Sequence, residues 1–249
     1  MRSLWGVVLL ALALADAALL RRPVAWLLGI VPDDAFYYFH IARHLARGDG
    51  STFDGVHVAS GYHPGWMALL VPVAAVFPGA ESLLRGALVL ALLLHAATAM
   101  ALVGFLRRMT SPVVASLGGL CWLLNPWALF LSLHGAESAL YSLALVVLLR
   151  TEAAVHAASP GQARAPLIQL GGALALCLWA RTDAVILAAV TCLFLPLLRN
   201  RPFWRRDSLW ASLGVAAACT AGIAPWLLYC WASTGSPWQS SGTMKRLWA

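Results

Sequence analysis

The longest apolar stretch of the chain, residues 83–106, reads LLRGALVLALLLHAATAMALVGFL. A helix needs about 20 apolar residues to cross the roughly 30 Å hydrocarbon core of a bilayer, and this stretch is long enough. Across the chain 61% of residues are apolar and 11% are charged, whereas soluble domains carry about 25% charged residues. A single core cannot bury so much apolar surface, and disordered chains are poor in apolar residues. The composition therefore excludes a soluble globule and a disordered chain.

Six further apolar stretches surround this one, and together they predict an all-α bundle of about seven transmembrane helices. They cover residues 4–20, 112–131, 140–149, 167–180, 184–198 and 209–231. Several are shorter than about 20 residues, so flanking residues extend them or the bilayer thins locally. We find no sign of a separate soluble domain, and we treat residues 1–249 as one membrane module.

The distribution of positive charge selects between two topologies. Residues 64–77 form an eighth, shorter apolar stretch that opens with Pro64 and is typical of a juxtamembrane or re-entrant helix. Seven spans with a cytoplasmic N-terminus put nine of the 17 Lys and Arg inside, whereas an eighth span leaves five. Because positive charge in short loops resists translocation, seven spans are favoured and residues 21–82 form the first external loop. The net charge of +7 then reflects topology, and we expect no nucleic-acid partner.

The first apolar stretch has two interpretations. Arg2, the apolar run and the sequence ADA at residues 15–17 match a secretory signal with a small-residue cleavage site. An uncleaved first helix is the favoured alternative, because a multispan chain follows.

The external loop contains two adjacent acids, Asp33 and Asp34, directly before a predicted amphipathic helix over residues 35–47 that ends at Gly48. One face of this helix is apolar and the other is basic. The apolar face is predicted to carry Tyr38, Ile41, Ala42 and Leu45. The acids are interpreted either as a helix N-cap with a favourable dipole interaction or as a site, since adjacent carboxylates repel unless a cation, a metal or a hydroxyl group joins them.

Four more residues are candidates for the same side of the membrane. His63 lies in the turn GYHPGW of residues 61–66, where it is either a structural hydrogen-bonding residue or a ligand. Glu137 and the pair Arg181 and Asp183 lie near the outer ends of later spans. Charged groups at these depths face protein or water. Arg181 and Asp183 are either site residues or partners in a mutual ion pair.

At these residues the chain resembles the GT-C superfamily of multispan glycosyltransferases, which use lipid-phosphate-linked sugars. Relatives include the protein O-mannosyltransferases and the bacterial aminoarabinose and lipopolysaccharide sugar transferases. The resemblance rests on the motifs PDDAFYY (32–38), IARHLARG (41–48), GYHP (61–64), GAESAL (135–140), RTDA (181–184) and PWLLY (225–229). Their order and sidedness are more specific than any one motif.

The resemblance implies a function. Asp33 is the expected catalytic base with Asp34 beside it, and the donor is a polyprenyl-phosphate sugar. The acceptor is a glycan, lipid or protein hydroxyl outside the cytoplasm, and the reaction is an inverting displacement at the inner membrane. Residues expected to bind substrate are His63, Glu137, Arg181, Asp183 and Lys245, with Arg246 as a further cation. Some relatives bind a divalent metal, for which Asp33, Asp34 and His63 are the candidate ligands.

The chain departs from the family pattern in two ways. Ala136 stands where relatives usually have methionine, and relatives continue well past seven spans, so a C-terminal continuation is expected to be missing here. Two other classes of function stay open. One is a transporter or lipid-sugar flippase in which Asp16, Glu137 and Asp183 line a path, which predicts broken helices and inverted repeats. The other is a catalytically silent membrane subunit.

Overall fold

The structure is a computed structural model that describes residues 18, 21–159, 162–199, 202, 205–237 and 239. Its longer regular elements are all α-helices, which confirms the predicted all-α class over these residues. The helices are α1 (Val24–Leu28), α2 (Asp33–Arg47), α3 (Pro64–Val76), α4 (Ala80–Leu106), α5 (Pro112–Leu124), α6 (Pro126–Ser132), α7 (Ser138–Ala157), α8 (Arg164–Ala180), α9 (Val185–Leu198) and α10 (Arg206–Thr234). A short 3₁₀ helix, Thr182–Ala184, precedes α9.

Three of the described helices, α4, α7 and α10, are long and apolar enough to cross a membrane. The pair α5 and α6 meets the same criteria together, but the two helices are bent by 57°. Helix α3 has 13 residues and α8 has 17, so both are apolar but short. The described part of the chain is therefore helical with three or four candidate spans, as expected of a membrane protein.

The prediction of seven spans is wrong for the described residues. Helices α8 and α9, with 17 and 14 residues, correspond to two predicted spans, yet each has fewer than the about 20 residues that a crossing needs. The first predicted span, residues 4–20, lies outside the described residues except for residue 18. Residues 64–77 were predicted to form a juxtamembrane or re-entrant helix. Helix α3, with 13 residues, is shorter than a candidate membrane span, which is consistent with that prediction.

The predicted span of residues 112–131 is broken at Asn125. The Asn125 side chain accepts hydrogen bonds from the backbone N–H groups of Trp127 and Ala128, at 2.9 and 3.0 Å, and so caps α6. Pro126 disfavours helical backbone in the residue before it, and Asn125 is extended with φ −68° and ψ 112°. The Asn-Pro dipeptide therefore ends one helix and starts the next.

The chain divides into two compact units. The first unit comprises residues 1–59 and 66–143, and the second comprises residues 60–65 and 144–249. In the first unit α4 packs along α5, where Gly119 lies so close to Val103 that a side chain there would overlap it. Small residues at such crossings let helix backbones approach within a membrane.

His95 is a buried polar residue on α4, with 1% of its surface exposed. Its Nδ1 lies 3.1 Å from Ser132 Oγ and its Nε2 lies 3.3 Å from the carbonyl oxygen of Leu123. The ring also stacks against Trp122. The bend after Leu124 leaves nearby backbone carbonyl groups without the N–H donors that a continuous helix would supply. His95 lies within hydrogen-bonding distance of one of these groups, the carbonyl of Leu123.

In the second unit α8 and α10 make the most extensive contact between described helices. A Cβ atom on Gly171 would lie 2.5 Å from Ala218 Cβ, and one on Gly222 would lie 2.5 Å from Ala175 Cβ. Trp179 Nε1 donates a hydrogen bond to the carbonyl oxygen of Gly222, at 2.9 Å. Close backbone approach at two glycines therefore fixes how these helices cross.

Candidate functional site

The acid pair lies in the first turn of α2, exposed to solvent. Asp33 Oδ1 accepts a hydrogen bond from the backbone N–H of Asp34, at 3.0 Å. The predicted aspartate N-cap is wrong, because the capping position belongs to Pro32, whose extended backbone makes no side-chain cap. Both carboxylates are inside the helix, where the dipole at its N-terminus favours negative charge as predicted.

The two faces of α2 differ as the sequence predicts. Its fully or nearly buried residues are Ala35, Tyr38, Phe39, Ile41 and Ala42. Leu45, predicted on the same face, is half-buried. Of the basic residues on the other face, His40 and Arg47 are exposed, whereas Arg43 and His44 are partly buried. Gly48, with φ 85°, ends the helix in the left-handed conformation that glycine adopts without strain. The acids therefore start a helix that is anchored along one side.

The anchor for α2 within the first unit is the turn around Gly135. This residue has φ 69°, and a Cβ atom there would lie 3.0 Å from Phe39 Cζ and 3.3 Å from Ala35 Cβ. Trp66, which is fully buried, donates a hydrogen bond from Nε1 to the Gly135 carbonyl oxygen at 3.1 Å. Any other residue at position 135 would have a strained backbone and a tight contact with Phe39 and Ala35 of α2.

Glu137 is the second support for α2. It is 8% exposed, and Tyr38 donates a hydrogen bond from its hydroxyl group to Glu137 Oε2, at 3.3 Å. A buried carboxylate is costly unless it is hydrogen-bonded, so this contact compensates part of that cost. The structure thus gives Glu137 a structural role under the acid-bearing helix, and its role in binding substrate stays a prediction.

In the second unit His63 contacts the break between α8 and α9. The backbone N–H of Thr182 donates a hydrogen bond to His63 Nδ1, at 3.2 Å. A backbone N–H can only donate, so His63 Nδ1 is the acceptor in this contact. Thr182 Oγ1 also donates to Gln239 Oε1, and Gln239 Nε2 donates to the Tyr62 carbonyl oxygen, at 3.0 and 2.6 Å. These bonds hold the predicted turn against the helix break.

Arg181 and Asp183 form a mutual ion pair, which was one of the two predictions for these residues. Arg181 donates from Nε and Nη2 to the two carboxylate oxygens of Asp183, at 3.1 and 2.9 Å. This hydrogen-bonded pair holds the pKa of Asp183 below its usual value, with a smaller contribution from the charge of Arg181 and with partial burial acting in the opposite direction. Such two-point pairing gives the guanidinium a defined orientation.

The proposed metal ligands do not fit a metal site. No group of three His, Cys, Asp or Glu side chains converges in the part of the chain that the structure describes. His63 Nδ1 is already an acceptor for Thr182 N–H, so it has no lone pair left for a cation.

The candidate residues belong to both units. Asp33, Asp34 and Glu137 lie in the first, and His63, Arg181 and Asp183 lie in the second. Lys245, Arg246 and Asp16 lie outside the described residues. The supporting roles of Tyr38, Thr182 and Gln239 were not predicted from the sequence, because each side chain contacts a residue that is distant in the chain. Comparison of the chain with protein-family models, with curated proteins and with solved structures gives no match in any of the three.

Proposed function

We propose that the protein is a membrane glycosyltransferase of the GT-C type, which transfers a sugar from a polyprenyl-phosphate donor to an acceptor hydroxyl group. One observation carries this proposal: two adjacent exposed carboxylates begin a helix whose opposite face is buried. A general base must be accessible to its substrate and held in place by its scaffold, and Asp33 meets both requirements.

The proposed reaction is a single displacement at the anomeric carbon. Asp33 takes the proton of the acceptor hydroxyl, and the acceptor oxygen forms a bond to the anomeric carbon. The bond from that carbon to the phosphate oxygen breaks, and its electron pair leaves with the lipid phosphate. The hydrogen bond from Asp34 N–H orients the Asp33 carboxylate for this step. One displacement inverts the configuration at the anomeric carbon.

The departing phosphate needs a positive partner, for which Arg181 and Lys245 are proposed. Arg181 is 36% exposed and is held by Asp183 in a two-point pair. A phosphate can replace the carboxylate on the guanidinium, since both anions match its fork of donors. His63 is proposed to bind the same substrate. Residues 21–82 are proposed to lie on the extracytoplasmic side of the inner membrane.

Transfer of a label tests this function. Membranes from cells that express the chain and from cells that lack it are incubated with a panel of labelled polyprenyl-phosphate sugars. We expect label to move from the lipid phosphate to an endogenous acceptor in the expressing membranes alone. Equal transfer in both membranes, with the protein shown to be inserted, would contradict the proposal.

A lipid-sugar flippase is the second candidate, favoured by the broken pair α5 and α6 with its 57° bend. Transporters use discontinuous helices of this kind at their substrate sites. In proteoliposomes a flippase would move the labelled donor between leaflets without forming a new glycosidic product. Its activity would also survive Asp33→Asn, which the transferase proposal does not allow.

A further inference from the structure

A row of aromatic rings continues from the acid pair along the exposed side of α2. Asp33, Tyr37 and His40 are spaced four and three residues apart, so they lie on one helix face. Phe53, from the loop after α2, stacks on Tyr37 with ring centroids 5.2 Å apart and planes inclined by 21°. The Phe53 and His40 ring centroids are also 5.2 Å apart. We call Tyr37, His40 and Phe53 the aromatic shelf.

The loop that carries Phe53 is closed at its base. Ser51 Oγ donates a hydrogen bond to the Ala59 carbonyl oxygen at 2.6 Å, and Ala59 N–H donates to the Ser51 carbonyl oxygen at 2.8 Å. Thr52 and Val58 form an antiparallel bridge directly inside this pair. Phe53 therefore starts from a fixed backbone position.

The tip of the loop is held by Asp54. Its Oδ1 accepts hydrogen bonds from the backbone N–H groups of Val56 and His57, at 2.9 and 2.8 Å, and its Oδ2 lies 2.7 Å from His57 Nδ1. The His57 side chain and these backbone donors hold the pKa of Asp54 well below its usual range. The carboxylate thus stays an acceptor across the physiological pH range, and the loop keeps its shape.

This local order leaves the shelf open to solvent. Phe53 is 45% exposed although one side of its ring contacts Tyr37, and His40 is exposed. The Tyr37 side chain is partly buried, and burial raises the pKa of its hydroxyl group, which stays protonated and neutral at physiological pH. An aromatic surface beside two carboxylates is thus fixed before any ligand binds, which lowers the entropic cost of binding.

The chemistry of the shelf selects a class of ligand. A sugar ring has one face of C–H groups, which aromatic rings attract, and an edge of hydroxyl groups, which carboxylates and imidazole can accept. A lipid chain would cover the rings but would leave the acids without a partner. An anionic group would be repelled by Asp33 and Asp34. A neutral, polyhydroxylated ring matches both parts of the surface.

We propose that the aromatic shelf binds the ring of a sugar, with the hydroxyl edge of that ring turned towards Asp33 and Asp34. This inference deepens the proposed transfer function, on which the choice of a sugar rests. The ring is either that of the acceptor, whose hydroxyl Asp33 deprotonates, or that of the donor. The two sources share the same chemistry at the shelf.

Binding is tested without turnover by saturation-transfer difference NMR on the full chain in lipid nanodiscs. The probes are the methyl glycosides of glucose, galactose, mannose and arabinose, and sugar-based detergents are left out because their headgroups compete. We expect a signal for at least one probe, weakened about five-fold by Phe53→Leu, as for loss of one aromatic contact, and restored by Phe53→Trp. Phe77→Leu is the matched control, since Phe77 is also 45% exposed in the first unit.

The outcomes separate the two proposals. No signal with any probe, or equal signals for wild type and Phe53→Leu, would overturn the shelf as a sugar site. Equal losses in Phe53→Leu and Phe77→Leu would overturn it as well. A protein that binds glycosides through Phe53 but transfers no label keeps the shelf and loses the transferase. In the transfer assay, Phe53→Leu raises KM for the labelled donor if the donor ring occupies the shelf and leaves it unchanged if the acceptor ring does.

Discussion

The hydroxyl group of Tyr38 and the carboxylate of Glu137 are partners that lie 99 residues apart in the chain. Both side chains are buried, and the bond joins the helix that carries the acids to the turn before α7. This contact matters for the proposed function, because a general base must be held within a fraction of an ångström of the group that it deprotonates. The position of the proposed base therefore depends on the contact between Tyr38 and Glu137.

Removing the Tyr38 hydroxyl group should destabilise the first unit. Tyr38→Phe leaves Glu137 with one donor fewer in a buried position, and we expect a loss of about 1–3 kcal/mol in the free energy of unfolding. Unfolding by SDS in mixed micelles measures it. Tyr229→Phe, at a tyrosine that is 38% exposed, is the control and should have little effect. Equal stabilities for Tyr38→Phe and wild type would show that the bond contributes nothing.

The pair Arg181 and Asp183 predicts a pH dependence. The pKa of Asp183 is lowered in the folded protein from its usual value of 3.8, so the pair stabilises the fold above that pH and loses this effect as the pH falls towards the lowered pKa. Because the Asp183 side chain is 61% exposed, we expect no more than about 1 kcal/mol. Melting temperatures between about pH 3 and pH 6 should fall less steeply for Asp183→Asn and for Arg181→Gln. A wild-type slope in both variants would refute the coupling.

Helix crossing in the second unit depends on where single glycines lie. Gly171→Ala would put a methyl group 2.5 Å from Ala218 Cβ and 2.9 Å from the Val215 carbonyl oxygen. We expect a destabilisation of about 1–3 kcal/mol, as for other overpacked interiors. Gly172→Ala is the matched control, because nothing lies within 4 Å of a Cβ at the next residue. Stability is measured by the same SDS titration. Wild-type stability in both variants would contradict the close packing at Gly171.

Local sequence patterns predicted α4 and α2 but missed the break between α5 and α6. The apolar residues 83–106 lie within α4, because helix length follows directly from hydrophobic length. The periodicity of α2 and its end at Gly48 also follow from local rules. The break at Asn125 was missed although the Asn-Pro dipeptide signals it, because an apolar count treats that dipeptide as a small interruption.

The supports of the candidate site could not be predicted in the same way. Tyr38 with Glu137, and Thr182 with His63, are pairs of side chains brought together by tertiary packing. No spacing along the chain encodes such contacts. The acid pair itself was found because Asp33 and Asp34 are neighbours at a helix start, which a single sequence shows directly.

The distribution of positive charge predicts an orientation for the whole chain, and this orientation can be measured. The distribution of Lys and Arg predicts that the loop after α2 is extracytoplasmic and that the turn between α4 and α5 is cytoplasmic. Alkaline phosphatase inserted after Gly55 should therefore be active, and green fluorescent protein inserted after Met109 should fluoresce. The reverse result, with the phosphatase active after Met109 and inactive after Gly55, would put Asp33 on the cytoplasmic side and contradict the proposed reaction.

The most direct measurement is the turnover of the purified chain with Asp33→Asn, using a labelled polyprenyl-phosphate sugar that wild type transfers. Asp207→Asn is the matched control, because Asp207 is an exposed acid in the first turn of α10. If Asp33 is the general base, kcat falls by about 10²–10⁴ in Asp33→Asn and stays at the wild-type value in Asp207→Asn, with both proteins inserted and folded. Wild-type kcat in folded Asp33→Asn would contradict the assignment of Asp33 as the base.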